Sequence, residues 1–93
     1  MNWIQVDGVH KGDVKMYALS PCGWCKKTKA FLRELGVEYS YLDVDQLSGN
    51  DRNTAIEEVE HWNPNLSFPT VVINGQEAIV GYQPEQIKAA LGL

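Results

Sequence analysis

The chain has only two cysteines, and they stand three apart in Cys22-Gly23-Trp24-Cys25. The apolar run Val14-Lys15-Met16-Tyr17-Ala18-Leu19 precedes them and reads as a buried strand. The segment Lys26 to Leu35 follows, with Phe31, Leu32 and Leu35 at helical spacing. A Cys-x-x-Cys pair at a strand-to-helix junction is where a dithiol–disulfide redox centre is expected. It also constrains topology, because the first cysteine must sit at a helix N-terminus. Free backbone N–H groups and the helix dipole favour negative charge there, and the thiolate is the form that attacks disulfides.

The other reading of such a pair is half of a metal site. Zinc takes about four ligands, and only His10 and His61 could supplement the cysteines, without recognisable spacing. No metal is expected. Ninety-three residues make one small domain with a single core. A net charge of −4 offers no basic face for nucleic acid. No stretch approaches the ~20 apolar residues of a membrane span, so no membrane association is expected. The start, Met1 to Gly8, lacks the pattern of a secretory signal. The expectation is a cytoplasmic protein, where a lone pair of this kind is more often catalytic than a structural staple.

Residues 1–13 read either as an extension with a short edge strand at Trp3, Ile4 and Val6 or as a flexible lead-in to a domain at 14–93. From Val14 onward the order is legible. A strand at 14–19 precedes a helix at 23–35 that Gly36 ends as its C′ residue. Residues 38–44 form a second strand, and Ser48 to Asp51 a turn and N-cap. A helix then runs from about Asp51 to Trp62, with Ile56 and Val59 inward and Glu57, Glu58 and Glu60 in solvent, until Asn63-Pro64 stops it. A third strand at 69–73 meets a fourth at 76–80 through Asn74-Gly75, a strong hairpin signal. Pro84 opens a last helix carrying Ile87, Ala90 and Leu91. The result is an α/β chain in the order β-α-β-α-β-β-α, with a four-stranded mixed sheet flanked by helices. The right-handed crossover sets the first two strands side by side, and the hairpin extends the sheet from the first.

Three segments together resemble the glutaredoxins. These are Pro21-Cys22-Gly23-Trp24-Cys25-Lys26-Lys27-Thr28-Lys29, then Phe68-Pro69-Thr70-Val71-Val72-Ile73-Asn74-Gly75, then Gly81-Tyr82. The resemblance covers residues 14–93 and implies a thioredoxin-like fold. It implies Cys22 as nucleophile and Cys25 as resolving thiol. It also implies a cis Phe68–Pro69 bond facing them, with the Phe68 backbone pairing an extended substrate. Pro21, Gly23, Trp24, Lys26, Phe68, Pro69, Thr70, Gly81 and Tyr82 are then the candidate substrate- and partner-binding residues. Lys26, Lys27 and Lys29 add positive potential near the thiols, and Trp24 offers a flat apolar surface.

Glutathione-using members usually carry lysine where this chain has Leu19, and a second glycine and an acidic pair after the fourth strand, where it has Gly81-Tyr82-Gln83-Pro84-Glu85. Losing these groups removes partners for the glutathione carboxylate and ammonium. Gly81-Tyr82-Gln83-Pro84-Glu85 looks instead like the NrdH-type redoxins, although those too usually have lysine at the position of Leu19 and a shorter segment than residues 46–67. The resemblance therefore implies a monomeric protein-disulfide reductase that requires no cofactor and disfavours glutathione. A thioredoxin-reductase-type or other flavoprotein- or ferredoxin-linked reductase would recharge it, and a ribonucleotide reductase is one acceptor it suggests. A glutathione-dependent glutaredoxin is the alternative within the enzyme class. A dimer carrying a [2Fe–2S] cluster is the alternative from another class.

Overall fold

A computed structural model describes all of residues 1–93. In chain order it holds β1 (Ile4–Val6), β2 (Val14–Ala18), α1 (Gly23–Leu35), β3 (Tyr39–Asp43), α2 (Gly49–Trp62), β4 (Thr70–Ile73), β5 (Glu77–Val80) and α3 (Pro84–Ala90). One 3₁₀ turn, Val44–Gln46, links β3 towards α2. The sheet order is β1-β3-β2-β4-β5. Only the β2–β3 pair is parallel, with Met16 opposite Tyr41; the other three neighbours run antiparallel.

The four-strand count is corrected to five. Ile4, Gln5 and Val6 pair antiparallel with Tyr41, Ser40 and Tyr39, which covers the edge of β3. A second tie holds the same segment: the Val9 N–H donates to the Gly36 carbonyl at 2.8 Å and the Glu38 N–H to the Val9 carbonyl at 2.9 Å. Between these ties the backbone at Gly8 passes so close to Val37 that a Cβ there would lie 2.5 Å from its carbonyl carbon. Only glycine fits such an approach.

Side chains alternate across the central strands and divide the core in two. Met16, Ala18, Val71 and Ile73 pack with Leu32 of α1 and Ile87 of α3 on one face. Tyr17, Leu42 and Val72 pack with Ala55 and Val59 of α2 on the other. The Tyr17 hydroxyl donates to Glu58 at 2.6 Å. Glu58 is thus drawn out of the solvent face expected for it, because the ring beneath needs a buried acceptor. Burial first, and then this carboxylate, push the Tyr17 phenol well above its ordinary pKa.

The helix ends carry their sequence signals. Gly36 caps α1 at φ 71°, and the Val37 N–H reaches back to the Leu32 carbonyl at 3.4 Å, a Schellman closure. Helix α2 starts at Gly49, two residues before the expected start, and Ser48 fills the cap position without a side-chain cap bond. Asn74 and Gly75 sit at φ 55° and 61°, as a type I′ turn requires. The Gln76 N–H closes that turn on the Ile73 carbonyl at 3.1 Å.

Candidate active site

The parallel β2–β3 pair ends at one edge of the molecule, and the chain leaving β2 turns directly into α1. Cys22 is the N-cap of α1, in extended backbone with ψ 117°. Its sulfur accepts the Cys25 N–H at 3.2 Å, so one of the unpaired N–H groups of the helix start points at the nucleophile position. Cys22 is half-buried, while Cys25 is fully buried among the residues packed between α1 and the sheet. Both thiols are free. Burial first, and then the hydrogen bond with Cys22, push the Cys25 thiol up to about 12.

The segment before β4 comes up against this pair. The Phe68–Pro69 peptide bond is cis, and the Phe68 carbonyl lies 3.9 Å from the Cys22 sulfur, within reach of its S–H. Pro69 and Thr70 are buried, and the Pro69 carbonyl accepts the Gly81 N–H at 2.8 Å, with Gly81 at φ 83°. The fold therefore brings Pro69 and Gly81 together and sets Phe68 against Cys22.

Trp24 is 58% exposed and stacks on Tyr82, centroids 5.9 Å apart and planes 23° from parallel. Phe31 meets Tyr82 edge-on at 6.3 Å. The Lys27 ammonium lies 5.0 Å from the Trp24 centroid and 5.9 Å from that of Tyr82. Lys27 thus caps an aromatic platform, whereas Lys29 pairs with Asp43 at 3.2 Å and rests 4.0 Å over Tyr41. Lys26 and Pro21 are exposed and Gly23 faces open space. Lys29 is the lysine whose charge acts on Cys25, lowering its pKa against the larger effect of burial.

Two positioning groups escaped the sequence reading. Asn63, expected only to stop α2, is 4% exposed. Its Nδ2 donates to the Ser67 carbonyl (3.1 Å), the Ser67 hydroxyl (2.9 Å) and the Thr70 hydroxyl (3.2 Å), while its Oδ1 accepts the Asn65 N–H (3.2 Å). It ties together the loop that delivers Phe68 and Pro69. Asp45 accepts both the N–H (2.7 Å) and the hydroxyl of Ser20, two residues before Cys22. Those bonds hold the Asp45 carboxyl below its ordinary pKa. An asparagine before proline and an aspartate just past a strand are common turn residues, so neither stood out.

Beside these groups lies an apolar cleft of about 150 Å³ lined by Leu19, Val44, Ile56, Leu66 and Phe68, with Asp45 and Arg52 at its polar edge. No cluster of three or more His, Cys, Asp or Glu side chains is placed to hold a metal ion. No helix is long and apolar enough to cross a membrane.

Comparison with known proteins adds relatives to this geometry. The family model described as Glutaredoxin matches residues 14–78. The crystal structure of a glutaredoxin from Methanosarcina mazei Go1 superposes with a TM-score of 0.92 at 47% identity, covering 100% of this chain and 90% of that one. Methanosarcina acetivorans methanoredoxin superposes at 0.89 with 46% identity, covering 92% of this chain and 90% of that one. Glutaredoxin-C1 of Arabidopsis thaliana is 30% identical over 63 residues, which span 67% of this chain but 48% of the plant protein, about half its length.

Proposed function

The chain belongs to the glutaredoxin family, whose members are thiol–disulfide oxidoreductases, and on that premise we propose that it reduces protein disulfides through Cys22 and Cys25. The observation that carries the reading is the asymmetry of the pair. One sulfur is half-exposed and accepts a helix N–H; the other is buried 3 residues on in the first turn.

The steps follow from that asymmetry. The Cys22 thiolate attacks one sulfur of a substrate disulfide; the substrate S–S bond breaks and a Cys22–substrate mixed disulfide forms. The leaving substrate thiolate takes a proton from water. Cys25 then loses its proton and attacks the Cys22 sulfur, releasing the second substrate thiol and leaving a Cys22–Cys25 disulfide. Two electrons have passed to the substrate, and a two-electron donor must return them. Phe68 borders the reacting sulfur and offers its backbone to an extended substrate strand, and the Trp24–Tyr82 platform flanks it.

A flavoprotein reductase as donor is preferred to glutathione. Leu19 stands where glutathione-using relatives usually carry a lysine, and Tyr82 is engaged with Trp24 and Phe31. The protein then works without a bound cofactor, in a compartment that keeps thiols reduced, such as the cytoplasm. The test compares recharging of the oxidised protein by glutathione alone with recharging by NADPH and thioredoxin reductase. Fast turnover with the reductase and slow turnover with glutathione is the expected result; the reverse overturns the choice of donor.

A further inference from the structure

The apolar cleft shares Phe68 with the reacting centre. Phe68, whose carbonyl lies 3.9 Å from the Cys22 sulfur, is also part of its lining. The Leu19 carbonyl accepts the Cys22 N–H at 3.2 Å, and Leu19 also lines the cleft. Anything held there lies beside a disulfide under attack.

Its size decides between classes of occupant. Pockets for whole small molecules run to roughly 300–1,000 Å³. At about 150 Å³ this cleft is too small for one, but an apolar cavity of ~150 Å³ holds a single benzene ring. One aromatic side chain fits.

The mouth is built rather than left over. Leu66 is held at φ 52°, a conformation L residues rarely adopt, and remains 37% exposed. Its N–H donates to the Asn63 carbonyl at 2.9 Å, so the Asn63 hub holds this leucine at the cleft. The polar edge is asymmetric in charge. Asp45 is taken up by Ser20 and Gln46, whereas Arg52 makes no ion pair. The cleft therefore matches an apolar ring with an anion beside it.

We propose that this cleft is a specificity subsite that receives one aromatic side chain of a disulfide-bearing polypeptide, next to an acidic residue that pairs with Arg52. The inference rests on the dithiol-reductase reading and adds to it the sequence around the substrate cysteine.

The probes are three short glycine-rich peptides, each a disulfide-linked homodimer through one cysteine. The cysteine is flanked by Phe-Glu, Ala-Glu or Phe-Lys, placed in turn before and after it. Second-order rate constants for reduction by the reduced protein are divided by those for dithiothreitol, which removes differences in leaving-group chemistry. The Phe-Glu peptide should exceed Ala-Glu by about tenfold or more, as burial of a ring predicts. It should exceed Phe-Lys by a few-fold, less at high salt. Ile56→Trp, which fills the cleft, should bring the Phe/Ala ratio to about one. Arg52→Glu, at an exposed position, should reverse the acid preference. Equal normalised rates for all three peptides with the unaltered protein overturn the proposal while leaving the reductase reading intact. If no peptide is reduced, the reductase reading fails and the subsite is judged separately. In that case a serine-for-cysteine Phe-Glu peptide should shift the Ile56 and Leu66 methyl resonances, and unshifted methyls at millimolar peptide overturn it.

Discussion

The backbone N–H of Cys25 donates to the Cys22 sulfur at 3.2 Å. One residue thereby takes part in both halves of an exchange cycle. Its main chain supports charge on the first thiol, and its own thiol, buried in the first helical turn, waits for the second step. The two groups can differ because the helix start points N–H groups outward while the Cys25 side chain turns into the core.

That division of labour makes the two serine variants diverge. Cys22→Ser should abolish disulfide reduction. Cys25→Ser should still attack and accumulate a stable mixed disulfide with its substrate, seen as an added mass on the intact protein. A mixed disulfide on the Cys22→Ser variant instead would reverse the assignment.

The second step carries a pH dependence. With the Cys25 thiol pushed up to about 12 mainly by burial, its reactive thiolate is scarce at neutral pH. The rate at which a preformed Cys22 mixed disulfide resolves should rise about tenfold per pH unit from pH ~7 upward. The same shift bears on stability. A raised folded-state pKa leaves the full contribution in place below the unfolded thiol pKa of ~8.5 and loses it as pH climbs towards the folded value. Thermal midpoints should therefore fall more steeply above pH ~8.5 in the unaltered protein than in Cys25→Ala.

Asn63→Ala should lower stability by about 1–3 kcal/mol in urea unfolding, since it strips partners from buried Thr70 and from Ser67. Because Asn63 also holds the loop bearing Phe68 and Pro69, the variant should lose reduction rate under conditions where it remains fully folded. An unchanged rate would confine Asn63 to a structural role.

Asp45 predicts the opposite pH sign from Cys25. Its folded-state pKa is depressed by the bonds from Ser20, so its contribution is present above the unfolded carboxylate pKa of ~3.9 and is lost as pH falls through the lower folded value. Asp45→Asn should be less heat-stable than the unaltered protein at neutral pH, with the gap closing as the pH falls below the unfolded carboxylate pKa of ~3.9. A gap that persists unchanged into acid would remove charge from the account.

Much of the fold could be read locally. Helix α1 lies at the residues its apolar spacing and Gly36 mark, and Asn74-Gly75 makes its turn, because each depends on neighbours within one or two turns of chain. The roles of Glu58, Asn63 and Asp45 are not legible in their neighbours. Their meaning lies in partners that folding brings near, such as Tyr17, 41 residues away, or Ser20, 25 residues away. The strand β1 is not legible locally for the same reason. Three residues carry too weak a period to identify a strand, and pairing with β3 decides it.

By itself, the sequence determined the dithiol chemistry and the α/β order, since the spacing Cys22-x-x-Cys25 and the hydrophobic periods are properties of the chain. Only the tertiary structure decided which sulfur stays half-exposed, which is buried, and what stands beside them. Burial and long-range hydrogen bonds come from packing α1 and the Asn63–Thr70 loop against one sheet. No local pattern contains the Trp24–Tyr82 stack or the cleft between Leu19 and Phe68.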